Sequence, residues 1–238
     1  MSTDQSSPQA IVLLSGGQDS TTCLFQAIED FGRENVHALT ISYGQRHAIE
    51  IDAARKIAQD ADVPWDHVEL PGVLIGSSPL VSDNEVGQYD SADELPGGVE
   101  PTFVPGRNAL FLVIAANRAE AVGATTIYTG VCEEDFGGYF DCRQAFIEAM
   151  AIALSEAVRG DSTSIWIETP LMRLTKAETV FLAQKLDGCM DALAHSHTCY
   201  NGSYPPCGSC HACILRRRGF DQAQVVDPLD RRAMAEHA

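Results

Sequence analysis

The sequence predicts a doubly wound α/β domain with a mostly parallel sheet, followed by a small cysteine-rich module. Three observations predict it. An apolar run, Ala10 to Leu14, stops abruptly before Gly16 and Gly17, as a strand buried on both faces does when its connection must turn at once. Strand-like and helix-like apolar spacings then alternate along the chain. Finally, four of the eight cysteines crowd into fifteen residues near the C-terminal end.

The elements follow in order. Asp19 to Phe31 has helical spacing of apolar residues (Cys23, Phe25, Ala27, Ile28, Phe31). Val36 to Ser42 reads as a second strand, Arg46 to Gln59 as an amphipathic helix and His67 to Leu70 as a short strand. Residues 71–102 break the pattern with five Gly, four Pro, six acidic residues and no Lys or Arg. A loop of that length within a domain is functional or disordered, and a lid is expected here. Asn108 to Val122 predicts an apolar helix, Thr125 to Thr129 a strand and Arg143 to Val158 a helix. Ser164 to Glu168 is the last strand and Lys176 to Leu186 a helix, with Thr175 as its cap. The domain therefore spans 10–190, after a tail at 1–9. The cysteine module occupies 191–222, with a short basic helix, and a polar tail covers 223–238.

Charge narrows the function. With 33 acidic and 16 basic residues, the net charge is -17. Such a surface repels a phosphate backbone, whose binding depends on Lys and Arg, although Arg216, Arg217 and Arg218 form a local basic run. No nucleic-acid partner is expected. No apolar run approaches the ~20 residues of a membrane helix, and MSTDQSSPQA lacks the features of a signal peptide. A cytoplasmic location without membrane contact is expected.

Ser15-Gly16-Gly17-Gln18-Asp19-Ser20 joins the first strand to the first helix, where open α/β sheets place their chemistry. Glycines let successive amides face one point, and the helix N-terminus favours an anion. Ser15 and Ser20 add hydroxyls, and Asp19 can hold Mg²⁺. An ordinary tight turn with caps would explain a lone Gly-Gly. The Walker pattern is absent, since no Gly precedes a Lys.

Cys199, Cys207, Cys210 and Cys213 lie at x7, x2 and x2 spacing. Clustered cysteines in a cytosolic chain read as a metal site. Four thiolates suit one structural Zn²⁺ with no open position; an iron–sulfur cluster or a redox pair of Cys207 and Cys210 are weaker alternatives. His195, His197 and His211 are expected to be solvated or capping. Cys23, Cys132, Cys142 and Cys189 read as small core residues, and Trp65 and Trp166 read as core rather than as stacking platforms.

The segment at 15–20 resembles the SGGxDS loop of the N-type ATP pyrophosphatases, which implies an adenine-nucleotide alpha hydrolase-like fold and cleavage between the α- and β-phosphates. The combination with the cysteine module resembles the 7-cyano-7-deazaguanine synthase family of queuosine biosynthesis. Phe103 to Asn108, Gly130 to Asp135, Gly138 to Arg143, Glu168 to Leu171 and Thr198 to Gly202 support this resemblance, which spans Ile11 to about Phe220. Phe140 stands where the family has proline, and the acidic lid is longer than typical.

The resemblance implies conversion of 7-carboxy-7-deazaguanine and ammonia to the nitrile with ATP, through adenylated carboxylate and amide intermediates, by a homodimer. Ser15, Gly16, Gly17, Gln18, Asp19, Ser20 and Arg46 would bind ATP with Mg²⁺. Asp19, Arg107 and Lys176 would be catalytic. Asn108, Asp135, Asp141 and Arg143 would bind the deazaguanine substrate, although each of these could instead cap a helix or form an ion pair. The alternatives are a pyrophosphate-loop enzyme modifying tRNA by thiolation or lysine attachment, and a non-catalytic nucleotide- or zinc-binding interaction module.

Overall fold

Alternating burial along the first strand sets the architecture. In β1 (Ala10–Leu13), Ala10 and Val12 join one core and Ile11 the other, because successive strand side chains point to opposite faces. The computed structural model describes residues 9–45, 49–95, 98–133 and 139–236. The remaining strands are β2 (Val36–Ser42), β3 (Trp65–Glu69), β4 (Thr126–Tyr128) and β5 (Trp166–Glu168). Their order is β3-β2-β1-β4-β5, and every pair is parallel. The winding reverses between β1 and β4, so the loops after these two strands diverge and leave a crevice at the strands' carboxyl ends.

Helices cover both faces. On one, α1 (Gln18–Phe31) and α2 (Ile49–Asp60) bury Leu24 and Ile57 against Val12 and Ala38. On the other, α3 (Arg107–Val122) and α4 (Gln144–Arg159) bury Leu112 and Ile147 against Ile11, Leu39 and Ile127. The first face is completed by α5 (Lys176–Lys185) and the short α6 (Cys189–Leu193). Thr175 caps α5 through a reciprocal pair with Glu178, which satisfies two otherwise orphaned amides. Strand and helix order match the sequence reading, with most bounds shifted by one or two residues. The start of the second helix, Arg46 to Ala48, lies outside the described residues, as do 1–8.

The C-terminal end departs from expectation. After α7 (His211–Ala223) comes a helix, α8 (Pro228–Glu236), with Leu229 and Ala233 buried. Asp227 accepts the Leu229 amide at 2.9 Å, and Pro228 occupies the first helical position, where its missing N–H costs nothing. Arg216 leaves the basic surface altogether. It is 5% exposed, and its Nη2 donates to Asp227 Oδ1 at 2.8 Å and its Nη1 to Ser196 Oγ at 2.8 Å. Helical period explains this: Arg216 faces inward, while Arg217 and Arg218 are exposed. Asp227→Ala would strand a buried guanidinium, at about 3–5 kcal/mol. A thermal melt should show the midpoint falling by roughly 10 °C; a shift under about 2 °C would refute the pair's contribution. Trp166 also departs, being 60% exposed on the edge strand.

The 71–102 segment packs on the cysteine module. Val86 joins the cluster formed by Cys199, Cys210 and Cys213, and the Tyr89 amide donates to the Ser209 carbonyl at 2.8 Å. Residues 96–97 are outside the described residues.

Candidate active site

A cavity of about 260 Å³ opens at the carboxyl ends of the strands. Ser15, Gly17, Gln18, Asp19 and Ser20 line it after β1, with Thr129, Gly130 and Val131 after β4. The loop holds itself open: Ser20 Oγ accepts the Ser15 amide at 3.1 Å, and the two hydroxyls lie 2.9 Å apart. Gly16 has φ of +86°, and its carbonyl accepts the His197 amide at 2.7 Å. Gly17 is the N-cap of α1, and no side chain caps that helix. Its first-turn amides and the positive end of its dipole therefore face the cavity, an anion-binding arrangement. Gln18 is 2% exposed, and its Nε2 has no hydrogen-bond partner among the described residues.

Asp19 and Lys176 meet at the first turns of α1 and α5, which share one face of the sheet. Lys176 Nζ lies 2.8 Å from Asp19 Oδ2, and the lysine is only 7% exposed. Close helix packing seats it, because a Cβ on Gly219 of α7 would come within 2.7 Å of the Lys176 Cβ. Asp19 Oδ1 is buried with no partner among the described residues. One carboxylate oxygen is thus spent on the lysine and the other is available.

The far wall comes from α3 and the cysteine module. Arg107 lies beside Tyr43, Tyr200 and Asp141. Tyr43 packs on Phe111 with ring centroids 5.5 Å apart, and Phe103 packs on Tyr139 at 5.1 Å. Asn108 turns toward the chain: its amide donates to Asp141 Oδ2 and its Nδ2 to the Asp141 carbonyl, both at 3.1 Å. Burial raises the Asp141 carboxyl above its ordinary value, against the lowering pull of that Asn108 amide. Asn108 reaches the cavity wall, whereas Asp141 serves the start of α3. Arg143 is exposed at the N-cap of α4, its guanidinium 4.9 Å from the Phe140 ring centre. Arg46 and Asp135 lie outside the described residues.

Several lining residues went unseen in the sequence. Glu50 enters from the first turn of α2, and Tyr43, Tyr139 and Tyr200 come from three separated segments. Glu50 carries the largest perturbation among the cavity's acids. Burial pushes its carboxyl up to about 7, partly offset by Arg107. The one available signal was a tyrosine directly after a cluster cysteine, which must sit wherever that cluster packs.

The four clustered cysteines converge, with their Sγ atoms all within 4.8 Å of one another and Cys207 and Cys213 3.9 Å apart. A tetrahedral ion with bonds of about 2.3 Å needs sulfurs roughly 3.8 Å apart. The set fits and could hold a metal ion. His197 and His211, expected at the surface, are 3% and 4% exposed. Burial lowers the His211 ring below its ordinary value, against the raising effect of Glu100. The isolated cysteines are buried, and burial raises the Cys23 thiol and pushes those of Cys142 and Cys189 up to about 12. Cys23, Cys142 and Cys189 are therefore thiols, not thiolates, at neutral pH.

Fold and site together define a pyrophosphate-loop α/β protein. Residues 9–224 match the family described as Queuosine biosynthesis protein QueC. The chain belongs to that family. The 7-cyano-7-deazaguanine synthase of Gloeobacter violaceus is 56% identical over 224 residues, 93% of this chain and 95% of its own. That of Chromobacterium violaceum is 48% identical over 235 residues, 97% of each. Among solved structures, NMN synthetase from Francisella tularensis is 12% identical, covering 96% of this chain and 83% of its own, with a TM-score of 0.47. No helix among the described residues is long and apolar enough to cross a membrane.

Proposed function

We propose that this chain converts 7-carboxy-7-deazaguanine and ammonia to 7-cyano-7-deazaguanine at the expense of ATP. One observation carries the reading: an uncapped helix N-terminus and its glycine turn share a cavity with a buried Asp19–Lys176 pair. That arrangement suits a nucleotide whose pyrophosphate leaves. A carboxylate resists ammonia because oxide is a poor leaving group. Transfer of AMP to the carboxylate oxygen supplies a good one, and ammonia then gives the amide. A second adenylation, on the amide oxygen, followed by loss of AMP leaves the nitrile.

Roles follow position. Ser15, Gly17 and Ser20 hold the pyrophosphate, and Asp19 Oδ1, the buried oxygen without a partner, suits Mg²⁺. Lys176 and Arg107 neutralise phosphate charge as it develops. Gln18 and Asn108, which line the cavity, contact the substrates; Asp135 and Arg143 are assigned to the substrate, and Arg46 to the phosphates, on the family resemblance alone. The cysteine set takes Zn²⁺, which supplies fold rather than chemistry, because four protein ligands leave no open position. The enzyme works as a cytoplasmic homodimer. A tRNA substrate is disfavoured by the net charge of -17 and by the loss of Arg216 to a buried pair.

The test is mass spectrometry of purified protein with MgATP, ammonium and 7-carboxy-7-deazaguanine. Nitrile together with AMP and pyrophosphate is expected. Amide alone would make this an amide synthetase, and no reaction in zinc-loaded protein would reject the substrate. Asp19→Asn, which preserves shape and hydrogen bonding, should lose about 10²–10³ in turnover with zinc content unchanged. Near-normal turnover would remove Asp19 from the phosphate site.

A further inference from the structure

The proposed reaction needs a group to receive protons from nitrogen, and none of the roles above supplies one. Ammonia is largely ammonium at neutral pH, and it attacks only after losing a proton. Amination then releases one further N–H proton, and conversion of the adenylated amide to the nitrile releases two.

The cavity holds few acceptors. Among the described lining residues, the carboxylates are Asp19 and Glu50. Asp19 is held by Lys176 at 2.8 Å. His197 is almost wholly buried and already has an interaction partner. Glu50 has no hydrogen bond or ion pair to its side chain among the described residues. Its backbone is fixed beside the phosphate loop, since a Cβ on Gly16 would stand 2.3 Å from the Glu50 carbonyl oxygen and 2.9 Å from the Ala54 nitrogen. This close approach sets the first turn of α2 against the loop, and Glu50 lines the cavity together with Arg107, whose charge acts on it.

We propose that Glu50 binds the ammonium co-substrate and accepts its proton, a role that rests on the functional reading above. The carboxylate attracts the cation into the cavity and takes one proton from it. The free ammonia lone pair then forms the C–N bond at the adenylated carboxyl carbon. The C–O bond to AMP breaks with its electron pair on AMP, and the surplus N–H proton leaves through Glu50 to solvent. In the second stage, adenylation of the amide oxygen leaves a C=NH2+ group; one of its protons passes through Glu50 to solvent, and Glu50 takes the other as the C–O bond to AMP breaks with its electron pair on AMP and the nitrile forms. Two supporting facts concern strength and charge. Burial places this carboxyl near 7, where an acceptor and later donor at neutral pH works best. Among the groups that act on it, Arg107, Cys199 and Tyr200, Arg107 is the one cation, which keeps the ionised form accessible.

Glu50→Gln separates the half-reactions. Pyrophosphate exchange into ATP, dependent on 7-carboxy-7-deazaguanine, needs adenylation but no ammonia. It should stay within about threefold of the parent, which also reports a folded site. Nitrile formation should fall by about 10²–10⁴, with the KM for ammonium raised. Glu50→Asp, which keeps the carboxylate, should recover part of the nitrile rate. Near-parental nitrile formation by Glu50→Gln would overturn the role, as would equal loss of exchange and nitrile in both variants. A parent that performs neither reaction would instead overturn the functional reading, and this role with it.

Discussion

Gly16→Ala is expected to cut product formation about 10²-fold and to lower the melting temperature, by a mechanism visible in two independent constraints. The first is local. Gly16 has φ of +86°, a conformation that costs an L-residue of order 1–2 kcal/mol. The second is a collision. The new Cβ would lie 2.3 Å from the Glu50 carbonyl oxygen, 2.9 Å from the Ala54 nitrogen and 3.2 Å from the Ala53 Cβ. Two of these are backbone atoms of α2, so no rotamer change relieves the contact and the helix must shift away from the loop. Overpacking of this kind adds about 1–3 kcal/mol. At roughly 2–4 °C per kcal/mol for a chain of this size, the midpoint should fall by about 5–15 °C. Catalysis should suffer more, because a displacement near 1 Å at a phosphate-binding turn can cost about 10² in rate. The measurements are a thermal melt and pyrophosphate exchange. An alanine variant that melts within 2 °C of the parent and exchanges at its rate would mean that α2 does not press on the loop.

The placement of the 15–20 turn between the first strand and first helix, at the mouth of the cavity, was legible because its information is local. Six consecutive residues hold the turn, the hydroxyls and the acid, and only the strand before and helix after are needed to aim them. The sheet was legible for a similar reason: strands such as Ala10–Leu13, covered on both faces, are apolar throughout and stand out from their surroundings. The far wall was not legible. Glu50, Tyr139 and Tyr200 meet only after the chain has crossed the sheet, and no spacing rule links residues so distant. Charge was misleading where it was buried. Arg216, Arg217 and Arg218 look alike in sequence, yet the first lies in a salt bridge with Asp227 across the α7–α8 turn. A readable signal for α8 did exist, Asp227 followed by Pro228, which caps and starts a helix. Asn108 and Asp141 illustrate a different difficulty. Each was a candidate for substrate contact, but they first satisfy one another, and the sequence alone could not rank capping above binding.

Cys210→Ser should abolish metal binding at the four-cysteine set and, with it, the stability of the C-terminal end and one wall of the cavity. The argument runs through connectivity. Cys210 is fully buried and is the N-cap of α7, so its replacement acts at the hinge between the cluster and that helix. Loss of one of four ligands forfeits most of a binding free energy that, for structural zinc, is on the order of 10 kcal/mol. What remains is a small apolar cluster of Val86 with cysteines, too little to order the loop by itself. The damage should not stop there. His197, Thr198 and Tyr200 precede or follow Cys199 and line the cavity, and Gly17 approaches Thr198 closely enough that a Cβ there would meet its Cγ2 at 3.2 Å. Metal content by plasma mass spectrometry should drop from one equivalent to near zero. Hydrogen exchange should rise across 197–213 while the amides of β1 and β4 stay protected, since the sheet has its own two cores. Nucleotide affinity should weaken with the wall, even though none of the four clustered cysteines lines the cavity. Retained metal, or exchange unchanged at Tyr200, would show that the module is held by packing and that the cysteines contribute nothing beyond it.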